Sequence, residues 1–250
     1  MRRNLMLAAA VAMVLSSGGA AFAAPTAAQT AAVADKARPD TDTKRDVDRK
    51  PAEMLEFAGV KPGQTVGDML PGGGYFTRLF AKTVGAKGTV YALVNVPAPA
   101  ATKPNPIIAV AADPAYGNIK VVESHLADLA VPAPADMIWT SQNYHDLFLT
   151  RFNLDIAAVN KAVFNALKPG GYYIVLDHAA AAGAPLVETA NTLHRIDPAL
   201  VRKQLEAAGF KFVSESKVLA NTTDDHTKVV FDPTLRGHTD QFIYKFQRPK

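Results

Sequence analysis

Residues 65–84 read TVGDMLPGGGYFTRLFAKTV, an apolar run, a glycine-rich turn and an amphipathic run in direct succession. The first five residues predict a buried strand, and Phe76, Leu79 and Phe80 recur at the spacing of one helix face. The glycines of Pro71–Gly74 let a ligand approach the backbone where the next helix offers free N–H groups. This order predicts the first strand–turn–helix unit of an open α/β sheet. A glycine-rich turn without a ligand is the competing interpretation.

The rest of the chain alternates strand-like and helix-like segments. Further strands are predicted over Thr89–Val94, Ile119–Glu123, Asp136–Thr140, Tyr172–Leu176, Lys211–Val218 and Gln241–Gln247. Helices are predicted over Asp48–Ala58, Phe76–Val84, Ile156–Leu167 and Pro198–Ala208. Strands separated by helices are typical of a parallel, doubly wound sheet, and the last two strands, with no helix between them, predict an antiparallel edge.

The composition fits one globular domain and excludes several function classes. The 250 residues are 48% hydrophobic and 20% charged, which excludes bulk disorder, a collagen-like repeat and a polytopic membrane protein. The net charge is only +4 and no basic patch stands out, so we expect a small-molecule substrate rather than a nucleic acid. Cysteine is absent, which excludes disulfides, thiolate metal sites and cysteine nucleophiles. Nothing in the sequence indicates an oligomeric state.

The N-terminus has the three parts of an export signal. Arg2 and Arg3 form a positive region, Leu5–Leu15 is an apolar run, and Ala21–Ala23 is an A-x-A cleavage site. The apolar run is too short for an uncleaved membrane anchor. We therefore predict a signal peptide over residues 1–23, a periplasmic mature protein and no membrane association after cleavage. Removing two arginines changes the net charge to 25 − 23 = +2.

The segment that follows has a different composition. Residues 24–43 consist largely of Ala, Thr, Gln and Pro with little apolar bulk, which is typical of a tether. We therefore predict a flexible linker over residues 24–47 and a single α/β domain over residues 48–250.

Several blocks of the predicted domain resemble class I S-adenosylmethionine-dependent methyltransferases. The blocks are Val66–Thr77, Gly88–Ala92, Leu167–Gly171 and Ala208–Phe210. Further blocks look like a bacterial group of exported predicted methyltransferases with an Asn-Tyr-His-Asp motif. They are Asn143–Asp146, Asp177–His178, Leu193–Ile196 and Thr239–Phe242. The resemblance runs from about residue 48 to the C-terminus and implies a doubly wound, mostly parallel, seven-stranded Rossmann-like sheet with an antiparallel last strand.

The resemblance also implies S-adenosylmethionine as the cofactor. In the family's acidic-x-Gly-x-Gly-x-Gly loop, Asp68 takes the acidic position and Gly72 and Gly74 take two glycine positions, whereas Leu70 stands at the first. The family's acid at the end of the second strand, which bonds the ribose hydroxyls, is replaced by Val94. The residues implied for cofactor binding are Asp68, Pro71, Gly72, Gly73, Gly74, Tyr75, Asn95 and Asp128.

Two of these residues have specific expected roles. Asn95 follows Val94 and offers one hydrogen bond to the ribose, but not the paired acceptance of a carboxylate. Asp128 lies after the third predicted strand, where an acid of the family often meets the adenine amino group.

Polar residues follow the fourth predicted strand, at the edge where α/β sheets bind ligands. They are Asn143, Tyr144, His145 and Asp146. His145 is the predicted general base, because an imidazole titrates near neutral pH, and Tyr144 is predicted to shape or stack on the substrate. The alternative is that the four residues only cap the next helix, with Asp146 as its N-cap.

Four later residues are candidates for substrate binding. They are Asp177 and His178, after the fifth predicted strand, and His194 and Arg195, on a predicted helix. The last two residues equally fit plain hydrogen bonds to loops. The histidines and Asp177 are suitable ligands for a first-row metal, but no tight spacing such as H-x-x-x-H supports one, so no metal is predicted.

Three functions fit these observations. The first is an exported S-adenosylmethionine-dependent methyltransferase that acts on an unidentified small molecule. The second is an exported binding or accessory protein that retains the fold without transfer. Leu70 and Val94 favour it, as does the cytoplasmic origin of the cofactor. The third is a hydrolytic or metal-assisted enzyme built on His145, Asp177 and His178.

Overall fold

The computed structural model describes residues 24–96 and 103–250. Seven strands form one sheet, namely β1 (Thr65–Met69), β2 (Thr89–Asn95), β3 (Ile119–Ser124), β4 (Ala135–Ser141), β5 (Leu167–His178), β6 (Lys211–Ser216) and β7 (Gln241–Gln247). Their order is β3-β2-β1-β4-β5-β7-β6, with the first five parallel and β7 antiparallel to both its neighbours. This sheet confirms the predicted α/β, doubly wound, mostly parallel fold with an antiparallel last strand.

The helices of the described residues pack on this sheet. They are α1 (Ala27–Val33), α2 (Asp40–Thr43), α3 (Asp46–Arg49), α4 (Pro51–Ala58), α5 (Tyr75–Val84), α6 (Ile107–Ala112), α7 (Ile156–Ala166), α8 (Leu186–Leu193) and α9 (Pro198–Ala207), with 3-10 turns over Pro114–Tyr116 and His145–Phe148. The predicted helix Asp48–Ala58 is divided at Lys50, which adopts a left-handed backbone before Pro51 starts α4. None of these helices is long and apolar enough to cross a membrane.

The core lies on both faces of the sheet. Aromatic side chains fill one face, where the Phe76 ring centroid lies 4.7 Å and the Phe80 ring centroid 5.6 Å from the fully buried Trp139. Alternate residues of β4 point to opposite faces, so that Ile138 packs in the second cluster beside Met69. The central strands are therefore covered on both sides, and their carboxyl ends are the part of the sheet left open to ligands.

One glycine of the first turn is required by close packing. A Cβ at Gly74 would lie 2.9 Å from the Ile107 side chain of α6, and the backbone there is left-handed with φ of +82°. Helix α6 can therefore sit directly on the turn that leads into α5.

The predicted flexible linker over residues 24–47 is wrong, because helices α1 to α3 occupy most of it and pack against the domain. Gln29 donates from Nε2 to the carbonyl oxygens of Leu55 at 3.0 Å and Val60 at 3.1 Å, and Ala32 is fully buried. The guanidinium of Arg38 holds Asp46 at 2.6 Å. The segment packs through small alanines and through polar groups that are hydrogen-bonded or ion-paired. A lack of large apolar residues therefore does not indicate that a segment is flexible. The predicted signal peptide, residues 1–23, lies outside the described residues.

Candidate functional site

Two cavities meet at the carboxyl ends of β1 and β4. Leu70, Pro71, Gly72 and Asn143 line both of them, and their volumes are about 250 and 240 Å³. The Nδ2 of Asn143 donates to the carbonyl oxygens of Leu70 at 2.9 Å and Ser141 at 2.7 Å, which ties the loop after β4 to the loop after β1. The predicted glycine turn and Asn143 thus share one site, as expected for ligands of open α/β sheets.

The first cavity has a cationic wall that the sequence interpretation missed. Arg45, which precedes α3, and Arg49 at its end line the cavity together with Asp42. The Arg49 Nη2 donates to Gln142 Oε1 at 2.8 Å, and its guanidinium carbon lies 4.7 Å from the Tyr75 ring centroid. Its buried Nε has no hydrogen-bond partner among the described residues. Burial lowers the pKa of Arg49 to about 10, so it remains positively charged at neutral pH.

Asp68 lies at the floor of the first cavity, at the end of β1. Its Oδ2 accepts a hydrogen bond from Thr77 Oγ1 at 2.6 Å. Burial raises the pKa of Asp68 to about 7, against the opposing effects of the Thr77 bond and the Arg49 charge. The carboxyl is therefore poised between its neutral and ionised forms near neutral pH.

The other residues predicted around the turn divide by position. Gly73 and Tyr75 line the first cavity, and a Cβ at Gly73 would meet no atom within 4 Å. The Tyr75 hydroxyl donates to Asp46 Oδ1 at 2.6 Å, so its polar end is already engaged. Gly74 is buried against α6 and does not line either cavity.

The second cavity is the more apolar of the two. Val94 and Asn95 at the end of β2 line it, together with Leu126 and Leu147. Asn95 therefore lies on the wall of this cavity, and its contact with a ribose stays a prediction. Asp128 does not line the cavity, because the turn after β3 buries Leu126 and leaves Asp128 exposed, beside a separate depression lined by α7. The predicted adenine contact of Asp128 is thus wrong.

His145 and Asp177 form a buried pair beside this cavity. Asp177 Oδ1 lies 2.7 Å from His145 Nδ1, and Asp177 Oδ2 accepts the backbone N–H of His145 at 2.7 Å. Burial opposes charging of the imidazole, but the Asp177 and Asp146 carboxylates raise the pKa of His145 to about 10. In this state the imidazole is protonated at neutral pH and has no free lone pair, so the geometry does not favour its predicted role as a general base.

Tyr144 does not face the ligand cavities. It is fully buried, and its hydroxyl shares hydrogen bonds with Asn160, at 2.9 Å from Nδ2, and with Gln204 at 3.2 Å. The predicted stacking on a substrate is therefore wrong. The alternative of Asp146 as a helix N-cap is wrong too, because Asp146 lies inside the 3-10 turn and lines the second cavity.

The four residues predicted for substrate binding separate into buried and accessible groups. Asp177 and His178 end β5, and the ring Nδ1 of His178 lies 2.7 Å from Thr239 Oγ1. Burial lowers the pKa of His178 to about 4, so it is neutral. Arg195 is fully buried, with its Nη1 2.9 Å from Asp224, and this makes it a structural residue rather than a substrate contact.

His194 is the accessible member of the four. Its Nδ1 lies 3.3 Å from His145 Nε2 and 3.6 Å from Asp146 Oδ1. Its backbone is left-handed with φ of +56°, at the end of α8. His194 therefore joins the loop after β4, although 49 residues separate it from His145.

Comparisons with known proteins match the fold. No family model matches the chain. The ubiquinone/menaquinone biosynthesis C-methyltransferase UbiE of Vibrio cholerae is 27% identical over 202 residues, 76% of this chain, and the chain spans about 64% of that relative's length.

Solved structures extend the likeness. A SAM-dependent methyltransferase from Aquifex aeolicus aligns with a TM-score of 0.58 at 20% identity, covering 85% of this chain and 99% of the other. An arsenic(III) S-adenosylmethionine methyltransferase from Chlamydomonas reinhardtii aligns with a TM-score of 0.56 at 17% identity, and the alignment covers 91% of this chain and 75% of the other. A 1,6-didemethyltoxoflavin-N1-methyltransferase from Burkholderia thailandensis aligns with a TM-score of 0.55 at 13% identity, covering 84% and 82%. At these identities the likeness establishes the fold.

Proposed function

We propose that this chain, which has the fold of class I S-adenosylmethionine-dependent methyltransferases, is an S-adenosylmethionine-dependent methyltransferase that acts on a small molecule. The observation that carries the proposal is the pair of joined cavities around Leu70, Pro71 and Gly72, cationic at one end and apolar at the other. The curated relative is a methyltransferase, and the Burkholderia structure was solved with S-adenosylhomocysteine, which supports the same ligand class here.

The residues of the two cavities fit the parts of this cofactor. The Arg49 guanidinium, with an unpartnered buried Nε, suits a carboxylate at the cationic end. Asn95 offers a side-chain amide to ribose hydroxyls, and Leu126 and Leu147 suit the faces of an adenine ring. When bound, S-adenosylmethionine supplies an electrophilic methyl group on sulfur. The protein's part is then to hold an acceptor in line with that group.

The departure at Leu70 leaves the loop shape intact. Leu70 adopts a left-handed backbone with φ of +57°, the conformation that glycine adopts without strain. Its N–H donates to Leu93 O at 2.9 Å, which fixes the start of the turn. The strain costs on the order of 1–2 kcal/mol. The loop can therefore still present its backbone to a ligand.

A non-catalytic binding protein is the second candidate. The specific observation that favours it is Val94, which gives the ribose no carboxylate and leaves Asn95 as the polar group at the end of β2. A binding protein would take up the ligand at the same site without methyl transfer, so binding and turnover must be measured separately.

The binding test compares two glycine variants. We expect calorimetry to show heat of S-adenosylmethionine and S-adenosylhomocysteine binding to the purified protein. Gly73→Val puts a side chain into the first cavity and should abolish this heat. Gly117→Val should not, because Gly117 lies at an exposed turn, where an added Cβ would be 3.9 Å from its nearest neighbour, the carbonyl oxygen of Pro114. No heat at millimolar ligand from the unmodified protein would contradict the proposal. Binding without methyl transfer to any acceptor in a broad panel of small molecules would favour the binding protein.

One exposed aromatic ring lines the second cavity, and another packs on His194 nearby. Phe152 lines the cavity and is 42% exposed, and Phe231 is 54% exposed with its ring centroid 4.9 Å from that of His194. Isolated apolar residues on a surface are common, but the exposed Phe152 ring on the wall of the second cavity favours an acceptor with an apolar part that contacts it. An acceptor panel for the turnover assay should therefore include amphipathic aromatic compounds.

We also propose that residues 1–23 direct export to the periplasm. The positive region, apolar run and A-x-A site of this segment support it. Expression of the full chain in a bacterium, followed by fractionation and intact-mass measurement, should give a periplasmic product that begins at Ala24. A full-length cytoplasmic product would contradict export.

A further inference from the structure

Three side chains beside the second cavity bring their ligand atoms together. His145 Nε2 lies 3.3 Å from Asp146 Oδ1 and 3.3 Å from His194 Nδ1, and the last two atoms lie 3.6 Å apart. His145 and Asp146 come from the turn after β4, and His194 comes from the end of α8. Two imidazoles and one carboxylate are a ligand set that first-row divalent ions accept.

The distances between these three atoms also match those between the ligand atoms of a metal ion. Good hydrogen bonds between such atoms measure about 2.7–3.2 Å, and the Asp177 bond to the other nitrogen of His145, at 2.7 Å, is of that kind. A tetrahedral Zn²⁺ with bonds of about 2.0–2.1 Å places neighbouring ligand atoms about 3.3–3.4 Å apart. The three observed separations lie near this value, so a small shift of His194 would complete the triangle.

The surroundings orient the ligands. Asp177, fully buried, engages Nδ1 of His145 and therefore directs Nε2 towards the cluster. Binding of the ion displaces the proton that Nε2 carries in its absence, since histidine binds a metal only through a deprotonated nitrogen. Histidine ligands of metals usually carry such a carboxylate or carbonyl partner on the second ring nitrogen. His194 lies at the end of α8, and its ring centroid is 5.3 Å from that of His145, with the two ring planes perpendicular.

We propose that His145, Asp146 and His194 bind one divalent first-row ion, with Zn²⁺ the best fit, and that its fourth position opens towards the second cavity. Sites with three protein ligands and one open position are the catalytic kind of zinc site. Asp146 lines the second cavity together with Asn143, which lies where the two cavities meet, so an acceptor that faces this junction while the cavities hold the cofactor has access to the ion.

The role of the ion in methyl transfer rests on the proposed function, whereas the metal site itself does not. A hydroxyl or thiol of the acceptor that occupies the fourth position would have its pKa lowered, as a methyl-accepting nucleophile requires. Metal binding itself is independent of methyl transfer. Sequence spacing did not predict the site, because His194 lies 49 residues from His145 and only the fold joins them.

The experiment measures the metal directly. The protein is purified without an affinity tag, stripped with a chelator and titrated with Co²⁺ alone, then with Zn²⁺ in competition. We expect one ion per chain and the visible absorption of a four-coordinate Co²⁺ site, displaced by Zn²⁺. His194→Ala should weaken Co²⁺ binding at least 10- to 100-fold, whereas His238→Ala, 69% exposed and outside the cluster, should leave it unchanged.

Several outcomes would overturn the proposal. Absence of both bound metal and a Co²⁺ spectrum in the unmodified protein would do so without any variant, which covers the case in which His194→Ala fails to fold. A Co²⁺ site that His194→Ala leaves intact would overturn the ligand assignment. Calorimetry with S-adenosylmethionine on the same samples separates the two proposals. Heat of S-adenosylmethionine binding in a protein that binds no metal would contradict only the metal site. Metal binding in a protein that gives no such heat would contradict only the proposed methyltransferase.

Discussion

Asp177 holds His145 at two points, with Oδ1 2.7 Å from the ring Nδ1 and Oδ2 2.7 Å from the backbone nitrogen. Asp177→Asn removes the negative charge from this buried pair. Its amide N–H group would also face either the ring Nδ1–H or the backbone N–H of His145, so that one of these donors loses its acceptor. We expect the free energy of unfolding to fall by about 3–5 kcal/mol in urea titrations. The pKa of His145, held at about 10 by the carboxylates, should also fall, as followed by NMR of the imidazole.

The matched control for this change is Asp155→Asn. Asp155 is the N-cap of α7, where asparagine caps as well as aspartate, so the cost should stay within about 0.5 kcal/mol. An equal loss of unfolding free energy in the two variants would show that the Asp177–His145 pair contributes no more to stability than an ordinary helix cap.

Arg195 should behave as a structural residue. Arg195→Met leaves the buried Asp224 carboxylate without its cationic partner, with the backbone N–H groups of His226 and Asp240 still donating to it, and we expect a loss of about 3 kcal/mol in unfolding free energy. Arg202→Met removes a half-exposed pair with Glu206 and should cost less than about 1 kcal/mol. The heat of S-adenosylmethionine binding, measured below the melting temperature, should be unchanged in both. A selective loss of ligand binding in Arg195→Met would restore the substrate role.

Asp68 predicts a specific pH dependence of stability. Its pKa is about 7 in the folded chain against an ordinary 3.8, so the folded state binds the proton more tightly than the unfolded chain. Stability from this group is fully present below about pH 4 and is lost as pH rises through about 7. Asp68→Asn should flatten the unfolding profile over this window, by about 1.4 kcal/mol for each unit of pKa difference. The exposed N-cap variant Asp113→Asn is the control. Parallel profiles for Asp68→Asn and the natural chain would refute the raised pKa.

Gln29 tests whether the N-terminal helices are part of the folded domain. Gln29→Ala leaves the carbonyl oxygens of Leu55 and Val60 without their donor, and we expect a loss of about 1–3 kcal/mol on urea unfolding. Thr30→Ala, at an exposed position of the same helix, should change little. A flexible linker would make the two variants indistinguishable.

The fold was predictable because local patterns agree with the final structure. Strand β1 and the antiparallel β7 have the predicted bounds, and α5 begins one residue early at Tyr75. Continuous apolar strands and the spacing of Phe76, Leu79 and Phe80 are signals that a sequence carries on its own. The N-terminal helices carry no such signal, because their packing depends on Gln29 reaching backbone groups some 26 and 31 residues away.

The site was predictable where strand ends alone decide position. Asp68, Asn95 and Asn143 lie where the carboxyl ends of β1, β2 and β4 place them. Tyr144 and Arg195 were misassigned because their burial depends on partners distant in the chain, which are Asn160 and Gln204 for the first and Asp224 for the second. Arg49 belongs to no sequence motif, and only the packing of α3 against the domain shows that it lines the first cavity.

The cationic wall of the first cavity belongs to the same N-terminal segment that docks through Gln29. Asp42, Arg45 and Arg49 reach the cavity only when this segment is in place. A ligand held by these residues therefore binds the docked state in preference to the undocked one, and by mass action its concentration shifts the docking equilibrium. We therefore expect a ligand of this cavity to strengthen the attachment of the N-terminal segment, and loss of that attachment to weaken binding of the ligand.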